Sequence, residues 1–348
     1  MAPSAPQQQI ISYAQRYEDM HLLHAFGEQA SGFYIDIGAG HPVYDNVSFA
    51  FYLRGWRGVT VEPNPWLSQL SEAVRPLDVR IQSLVGGKAG NATYYLVEDF
   101  HGLSTTIENH ARAAQSEFGK SSQPMTMSVT TLQALCEQYA ANAIDFLKID
   151  VEGAEREVLL GGDWRRFRPR IVVLEALAPV TLAPAWEAWE PLLTGSGYRY
   201  ALFDSLNRYY VAEEHAILAE RLAAAPDSFD GVTPFRQFKP ALEDAAHPDR
   251  GLARLISDAD MVRLPLISSE TMAERLISGL DRADPNRPVQ PSDIAAAHQR
   301  LFGLPATPAW AESLHLSADA TMRDLYRSAV VSAEFRTACG RISASSAW

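Results

Sequence analysis

The chain has 348 residues and a formal net charge of −12. This surplus of acids disfavours a nucleic-acid-binding protein, because phosphate contacts depend on clustered Lys and Arg. Hydrophobic residues make up 47% of the chain, which is ordinary for a soluble protein with one large or two modest domains. The two cysteines, Cys136 and Cys339, are far apart in the sequence. They predict neither a disulfide framework nor a zinc site, and they fit a reducing compartment.

The N-terminal segment 1–11 is predicted to be a flexible tail. It has neither the basic region nor the apolar region of a signal peptide. The chain also lacks a run of about 18 apolar residues that would predict a membrane-spanning helix. We therefore expect a cytoplasmic protein that does not span a membrane.

Strand and helix patterns alternate over residues 12–230, beginning with a predicted helix over 12–27. The predicted strands are 32–40, 58–65, 78–87, 92–99, 143–153 and 169–177, and the other predicted helices are 46–56, 66–74, 130–140, a helix from Ala154, and 185–197. Short apolar strands that alternate with helices are typical of a parallel sheet covered on both faces. Two strands around a tight polar turn in 198–215 require an antiparallel pair. The sequence thus predicts an α/β fold with a Rossmann-like sheet, parallel except for one antiparallel edge strand.

The composition changes after about residue 230, where we find no further strand pattern. Prolines and polar residues in 231–251 predict a linker. An amphipathic helix is predicted over 268–280, and the sequence from Ser292 predicts three short helices. We therefore assign 12–230 to the α/β domain and 231–348 to a linker and an all-helical C-terminal module.

A glycine motif, YIDIGAG, ends the first strand of the predicted sheet and places Gly38 and Gly40 at the edge where such sheets bind ligands. Glu62 ends the next strand, where a carboxylate can accept hydrogen bonds from two ribose hydroxyls. Dinucleotides and S-adenosylmethionine are both bound in this way. A dinucleotide motif requires a third glycine where this chain has Val43. Asp36 would repel a pyrophosphate but suits a positive sulfonium or amino group, so S-adenosylmethionine is favoured.

A second motif, FLKIDVEGAE, runs from an apolar strand into a group of acids. We expect its strand to lie beside the first strand, so that Asp150 emerges next to the glycine loop. Acids at this edge would compensate the positive charges of S-adenosylmethionine. The dipole at a helix N-terminus explains Glu155. Lys148 alternates with Asp150 and is interpreted as an ion pair or as a packed aliphatic stem.

Taken together, these segments resemble the FkbM-type S-adenosylmethionine-dependent methyltransferase family over residues 11–215. The segments that carry the resemblance are SYAQRYED, GFYIDIGAGHPVYDNVSFAFYLRGWRGVTVEPNP, HGLSTT, FLKIDVEGAEREVLLGGDW and FDSLNRYYVAEEH. The resemblance implies the Rossmann-like methyltransferase fold and methyl transfer to oxygen, commonly a hydroxyl of a sugar or a secondary metabolite. It also implies a role in glycan assembly. The C-terminal helices loosely resemble a small helical domain of proteins in that setting, and they suggest a contact with a glycan-assembly protein.

The resemblance implies roles for individual residues of the cofactor site. Asp36, Gly38 and Gly40 would hold the methionine part of S-adenosylmethionine. Glu62 would bind the ribose with help from Asn64. Ser83, at the end of the third strand, would lie near the adenine.

Methyl transfer to a hydroxyl also needs a base that removes the proton of the alcohol. Asp150 and Glu152 would line the transfer site, with Asp150 as the first candidate base. His101 is the second candidate, because it precedes GLSTT in a loop that could fold over the site.

The residues proposed to contact the acceptor follow the later strands. They are Glu175, Asp204, Asn207 and Arg208, and Arg208 would grip an anionic group on the acceptor. Tyr13, Gln15 and Glu18 would either cap the acceptor pocket or form a solvated helix face. Asp150 and Glu175 are compatible with Mg²⁺, but no metal site is predicted, because two carboxylates without histidines are a weak ligand set.

Three other functions remain open. The chain could be a catalytically inactive methyltransferase fold that binds or scaffolds other proteins in glycan assembly, although intact Asp36, Glu62 and Asp150 argue against it. An RNA ribose methyltransferase would use a Lys–Asp–Lys–Glu set, which Lys148, Asp150 and Glu175 match only in part, and the acidic charge disfavours it. A nicotinamide dehydrogenase is the least favoured, since the third glycine is missing.

Overall fold

The computed structural model describes residues 9–97, 101–140, 143–179, 181–226, 229–279 and 284–347. These residues form two compact units. The first unit comprises the residues up to His41, Asp45–Gln69 and Asp78–Phe235. The second comprises Pro42–Tyr44, Leu70–Leu77 and the chain from Arg236 onward.

The first unit contains the strands and the helices that cover them. The strands are β1 (Ile10–Ser12), β2 (Phe33–Ile37), β3 (Arg57–Val61), β4 (Val79–Ile81), β5 (Leu84–Val85), β6 (Gly90–Leu96), β7 (Gln123–Thr130), β8 (Phe146–Ile149), β9 (Ile171–Glu175), β10 (Tyr198–Phe203), β11 (Asn207–Ala212) and β12 (Val232–Pro234). The helices that begin before β12 are α1 (Glu18–Phe26), α2 (Phe49–Leu53), α3 (Pro65–Val74), α4 (Glu108–Phe118), α5 (Leu132–Tyr139), α6 (Glu155–Leu160), α7 (Glu190–Thr194) and α8 (Ala216–Ala223).

The central sheet has seven strands in the order β10-β11-β9-β8-β2-β3-β4. The pairs from β9 to β4 are parallel, whereas β11 is antiparallel to both of its neighbours. This topology confirms the predicted α/β class with a Rossmann-like sheet. The reversed strand is second from the edge rather than at the edge as predicted, because β11 inserts between β9 and its own hairpin partner β10.

Side-chain alternation along the strands divides the sheet into two faces. One face, the Tyr34 face, carries Tyr34, Phe146, Val173 and Tyr209, packed with Leu22 of α1. The other, the Ile35 face, buries residues such as Ile35, Ile37, Leu147, Ile149 and Val172. Asp36 and Lys148 each lie two residues beyond an aromatic residue of the Tyr34 face. The strand register therefore places their side chains on that face.

Most of the tail predicted over 1–11 lies outside the described residues, which start at residue 9. The helix predicted over 12–27 begins only at Glu18. Ser12 instead belongs to β1, which pairs in parallel with β12. The Asp19 carboxylate accepts hydrogen bonds from the Ser12 hydroxyl and the Tyr13 amide, both at 2.7 Å. These bonds hold the residues before α1 away from helical geometry. We predicted no strand after about residue 230, and β12 shows that this prediction was wrong.

The strand predicted over 78–87 is split into β4 and β5. β5 leaves the central sheet and joins β7 and β6 in a three-stranded sheet. The strand predicted over 92–99 is confirmed as β6, and its partner β7 was not predicted. The β7 sequence, QPMTMSVT, contains a proline and mostly polar or flexible residues, so its alternation is weak.

The second unit is helical where the structure describes it. Its helices beyond residue 235 are α9 (Arg250–Leu255), α10 (Ser269–Gly279), α11 (Pro291–Phe302), α12 (Pro308–Ser313), α13 (Met322–Ala329) and α14 (Ala333–Ala347). Leu252, Leu276, Trp310, Phe335 and Ile342 are buried in its core. The predicted helix at 268–280 is thus confirmed, whereas four helices, not three, follow residue 290. Among the described helices, none is both long and apolar enough to cross a membrane.

Gly340 allows α14 to pack closely against the C-terminal part of α3, whose residues from Leu70 onward also belong to the second unit. A Cβ atom at Gly340 would lie 2.5 Å from Cγ1 of Val74, well inside van der Waals contact. We therefore expect Gly340→Ala to destabilise the protein by about 1–3 kcal/mol through overpacking. Gly251 of α9 is the matched control, since a Cβ there meets open space. Urea unfolding should show Gly251→Ala at least as stable as the wild type, and equal stability of the two variants would contradict the packing argument.

Candidate active site

The glycine loop brings the carboxyl ends of three strands together. The backbone of Gly38 is left-handed, with φ 73°, and its amide donates to the Val61 carbonyl at 2.9 Å. A Cβ atom at Gly38 would lie 1.6 Å from the carbonyl oxygen of Asp150. Only glycine therefore allows β2 and the residue after β8 to approach this closely. Gly40 follows with φ 61°, also in the left-handed region.

Glu62 fastens the glycine loop to the end of β3. Its Oε2 accepts a hydrogen bond from the Gly40 amide, and its Oε1 accepts one from the Asn64 amide, both at 2.8 Å. Each oxygen keeps a lone pair for a further donor. Burial raises the pKa of Glu62 to about 7. The two backbone hydrogen bonds lower this pKa, whereas the negative charges of Asp36 and Asp150 raise it further. The Asn64 side chain accepts from the Trp66 amide at the start of α3.

Lys148 is the buried cation at the centre of the site. Its Nζ lies 2.8 Å from Oδ2 of Asp150, and its side chain is 5% exposed against 32% for that of Asp150. Burial alone would lower the pKa of Lys148, but the charges of Asp150, Asp36 and Glu18 raise it above its usual range. Asp36 lies opposite Lys148 in the β2–β8 register, and one of its oxygens accepts from the Ser48 hydroxyl at 2.5 Å.

Asp150, Glu152 and Glu175 form an acidic triad whose oxygens approach within 4.8 Å of one another. Burial, followed by the charges of Asp150 and Glu152, raises the pKa of Glu175 to about 11. Burial and Asp150 likewise raise the pKa of Glu152 well above its usual range. Oε2 of Glu175 is buried without a hydrogen-bond partner among the described residues. Carboxylates this close together are compensated by bound protons or by a cation.

A hydrogen-bonded group beside this triad joins α1 to the β10–β11 turn. The Asn207 side chain donates to Oε1 of Glu18 at 2.8 Å, and Asp204 accepts from the Asn207 amide and from the Tyr209 hydroxyl. Burial and the charge of Asp204 raise the pKa of Glu18 to about 8. Asn207 is opposite Glu175 in the β11–β9 register. Glu18 and Tyr13 are therefore buried rather than on a solvated face, whereas Gln15 is exposed.

Arg208 does not join these acceptor-side residues. As the neighbour of Asn207 in a strand, it points to the Ile35 face. Its guanidinium lies 4.2 Å from the Tyr200 ring centroid and 4.8 Å from that of Trp186, and it pairs with Glu190 at 3.0 Å. The structure thus separates Arg208 from Glu175, Asp204 and Asn207, although all four were predicted to act together.

Ser83 is buried two residues after β4, which pairs with β3, the strand that precedes Glu62. Its hydroxyl is 2.9 Å from the carbonyl oxygens of Leu84 and Ser128. His101 begins a short 3₁₀ turn, His101–Leu103, and its side chain lies outside the described part of the structure. The role of His101 as a second candidate base stays a prediction.

Residues of the three-stranded sheet also reach the site, which the sequence did not indicate. Tyr94 of β6 is buried. Burial, with the charges of Glu62 and Glu152, raises its pKa above the usual range. Tyr94 also hydrogen-bonds Ser104. The alternating pattern at 92–99 predicted this strand, but the sequence around it does not indicate that Tyr94 lies near Glu62 and Glu152.

Comparison with known families agrees with this geometry. Residues 36–200 match the family model described as the methyltransferase FkbM domain. The match confirms, over these residues, the resemblance inferred from the motifs. The matched segment begins at Asp36 and includes Glu62, Asp150 and Glu175, while Asp204 and Asn207 lie beyond its end. No curated protein matches the chain.

The raised pKa values of the buried acids predict how the stability of the ligand-free protein depends on pH. The folded pKa values of Glu18, Glu62 and Asp19 are about 8, 7 and 6, above ordinary values of 4.5, 4.5 and 3.8. The folded protein thus retains protons that the unfolded chain releases. The stability that these retained protons contribute is fully present below about pH 4 and is lost as the pH rises through 6 to 8.

Glu62→Gln removes one of these titrations. We expect the variant to gain about 2–3 kcal/mol relative to the wild type between pH 5 and pH 8, as the Glu62 shift implies. Urea unfolding at the two pH values measures this difference. If both proteins change equally between pH 5 and pH 8, Glu62 is already ionised in the folded state and the argument fails.

Proposed function

We propose that this protein is an S-adenosylmethionine-dependent O-methyltransferase that acts on a hydroxyl of a sugar or glycan precursor. The observation that carries the proposal is the cluster of carboxylates around Lys148 at the glycine-loop edge of an FkbM methyltransferase domain. Its members are Asp36, Glu62, Asp150, Glu152 and Glu175. The oxygen and sugar specificity rests on the family resemblance and on the presence of a reachable base.

The donor set of the site fits S-adenosylmethionine. The remaining lone pairs of Glu62 suit two ribose hydroxyls, because a carboxylate accepts hydrogen bonds on both oxygens. Gly38 and Gly40 leave the loop without side chains, so a ligand can approach the backbone. Asp36, Asp150 and Glu152 supply negative charge for the ammonium and sulfonium groups. When bound, S-adenosylmethionine supplies an electrophilic methyl group on a positive sulfur.

Asp150 is the proposed base. Its Oδ2 is held by Lys148, and its side chain keeps about a third of its exposure. The second oxygen can therefore meet an acceptor hydroxyl in a fixed orientation and take its proton as the oxygen becomes nucleophilic. Lys148 fixes the position of the Asp150 carboxyl group through this ion pair.

Glu175, Glu18, Asp204 and Asn207 form the proposed acceptor side. Protonated Glu175 can donate a hydrogen bond to an acceptor oxygen, and the orphaned Oε2 is a buried atom that a polar ligand would satisfy. Hydroxyl-rich molecules both donate and accept hydrogen bonds. A sugar therefore matches this mixture of carboxyl and amide groups. Mg²⁺ is not part of the proposal.

Cofactor binding should depend on Glu62. We expect Glu62→Ala to weaken S-adenosylmethionine binding by about 1.5–3 kcal/mol, as for lost hydrogen bonds to a charged group. Isothermal titration calorimetry measures this change. Glu117→Ala, on the exposed surface of α4, is the control and should bind like the wild type. Unchanged affinity in Glu62→Ala would place the ribose elsewhere.

Turnover should depend on Asp150 more strongly than cofactor binding does. Labelled S-adenosylmethionine incubated with nucleotide sugars and oligosaccharides identifies the acceptor. With that acceptor, Asp150→Asn should lower turnover at least about a hundredfold, the lower range for loss of a general base. Near-normal turnover in Asp150→Asn would show that another residue is the base, and His101 would be tested next. A wild-type chain that binds no S-adenosylmethionine would instead favour the inactive scaffold.

A further inference from the structure

We infer that Thr105 and His110 are positioning residues that hold the turn carrying Glu152 so that its carboxylate faces the positive sulfur of the cofactor. The inference rests on the proposed S-adenosylmethionine site. Thr105 belongs to the HGLSTT motif, which the sequence associated with the site only through His101. The contact links this motif to the VEG sequence that follows β8.

The backbone conformation of Glu152 is unfavourable for a residue other than glycine. Its φ is 54°, in the left-handed region that non-glycine residues seldom occupy. Such conformations persist where surrounding contacts fix them, and they concentrate at functional sites. In this conformation the Glu152 carboxylate joins Asp150 and Glu175 in the acidic triad. The turn is thus part of the geometry of the site.

Contacts to its carbonyl fix the Glu152 backbone from one side. The Thr105 hydroxyl donates to the carbonyl oxygen of Glu152 at 2.9 Å and accepts from the Ile107 amide at 3.1 Å. Nδ1 of His110 lies 3.3 Å from the same carbonyl oxygen. Thr105 is itself rigid, since its amide and carbonyl both pair with Tyr95 of β6, and it is buried.

Gly153 lets α4 come close enough to make these contacts. Its φ is 100°, and a Cβ there would lie 2.6 Å from Cε1 of His110. Oε1 of Glu155 accepts hydrogen bonds from the amides of Val151 and Gly153. The Gly153 amide and the Glu152 carbonyl belong to one peptide group, which is therefore held at both of its polar atoms, and the Val151 amide is held one residue before Glu152.

The consequence is a charge-specific effect on ligand binding. Without the Thr105 hydroxyl, Glu152 can relax to a common backbone conformation and its carboxylate leaves the triad. The negative potential at the sulfur position then falls. S-adenosylmethionine should lose affinity, whereas S-adenosylhomocysteine, which has an uncharged sulfur, should be affected little. The ratio of the two affinities reports the position of the carboxylate, which a general loss of stability would not change.

The test compares Thr105→Val with Thr105→Ser by calorimetry with both ligands. The valine keeps the shape and removes the hydroxyl, and the serine restores it. We expect Thr105→Val to weaken S-adenosylmethionine binding about three- to tenfold, the size of one hydrogen bond, with S-adenosylhomocysteine unchanged within twofold. Thr105→Ser should recover the wild-type ratio. Thr106→Val removes the neighbouring hydroxyl and serves as the control.

A double-mutant cycle links the effect to Glu152. Glu152→Gln should lower the ratio by itself, and adding Thr105→Val to it should produce no further loss. His110→Ala provides a second route if Thr105→Val does not fold, and it should shift the ratio in the same direction. Additive effects, or equal losses for both ligands, would overturn the inference while leaving the cofactor site in place. A wild-type chain that binds neither ligand would overturn the proposed function and this inference with it.

Discussion

The ion pair between Lys148 and Asp150 is the interaction on which the site depends. Several carboxyl groups meet at one sheet edge, and at 4 Å two like charges repel by about 4 kcal/mol where the effective dielectric constant is about 20. Lys148 offsets part of this repulsion for Asp150, and its position on β8 also brings it near Asp36 and Glu18. The other acids are left to bind protons or a cationic ligand. Glu175 and Glu152 have raised pKa values because of their burial and the neighbouring acids, whereas Asp150 has Lys148 as its ion-pair partner.

The sheet register determines which groups can share this environment. Asp36 and Lys148 are direct neighbours across β2 and β8, and Asn207 is opposite Glu175 across β11 and β9. Side-chain alternation along the strands places all four of these residues on the Tyr34 face. The missing side chain of Gly38 then lets the Asp150 backbone reach the glycine loop. A one-residue shift of β8 would move the Lys148 side chain to the Ile35 face, away from Asp36.

The sequence predicted those parts of the site that depend on local pattern and strand adjacency. Asp36, Glu62 and Asp150 end successive neighbouring strands, so their meeting follows from the fold class. We grouped Arg208 with Asn207 on the acceptor side, whereas strand alternation places their side chains on opposite faces of the sheet. The bond between Asn207 and Glu18 joins residues 189 positions apart, and nothing local in either segment indicates it. The same holds for the pairing of β1 with β12 and for Tyr94, whose strand was predicted but whose position over the site was not.

Under the proposed function, the cluster would couple the charge of the cofactor to the protonation of the acids. In the absence of a ligand, Glu62 and Glu18 have pKa values of about 7 and 8, so near neutral pH they are partly protonated. A sulfonium and an ammonium group placed among these carboxyls would favour their ionised forms, because opposite charges lower the pKa of an acid. A cationic ligand therefore displaces protons as it binds, whereas the uncharged sulfur left after methyl transfer holds the ionised acids less strongly. In the proposed function, the electrostatics that destabilise the ligand-free fold at high pH would thus favour the charged donor over its demethylated product.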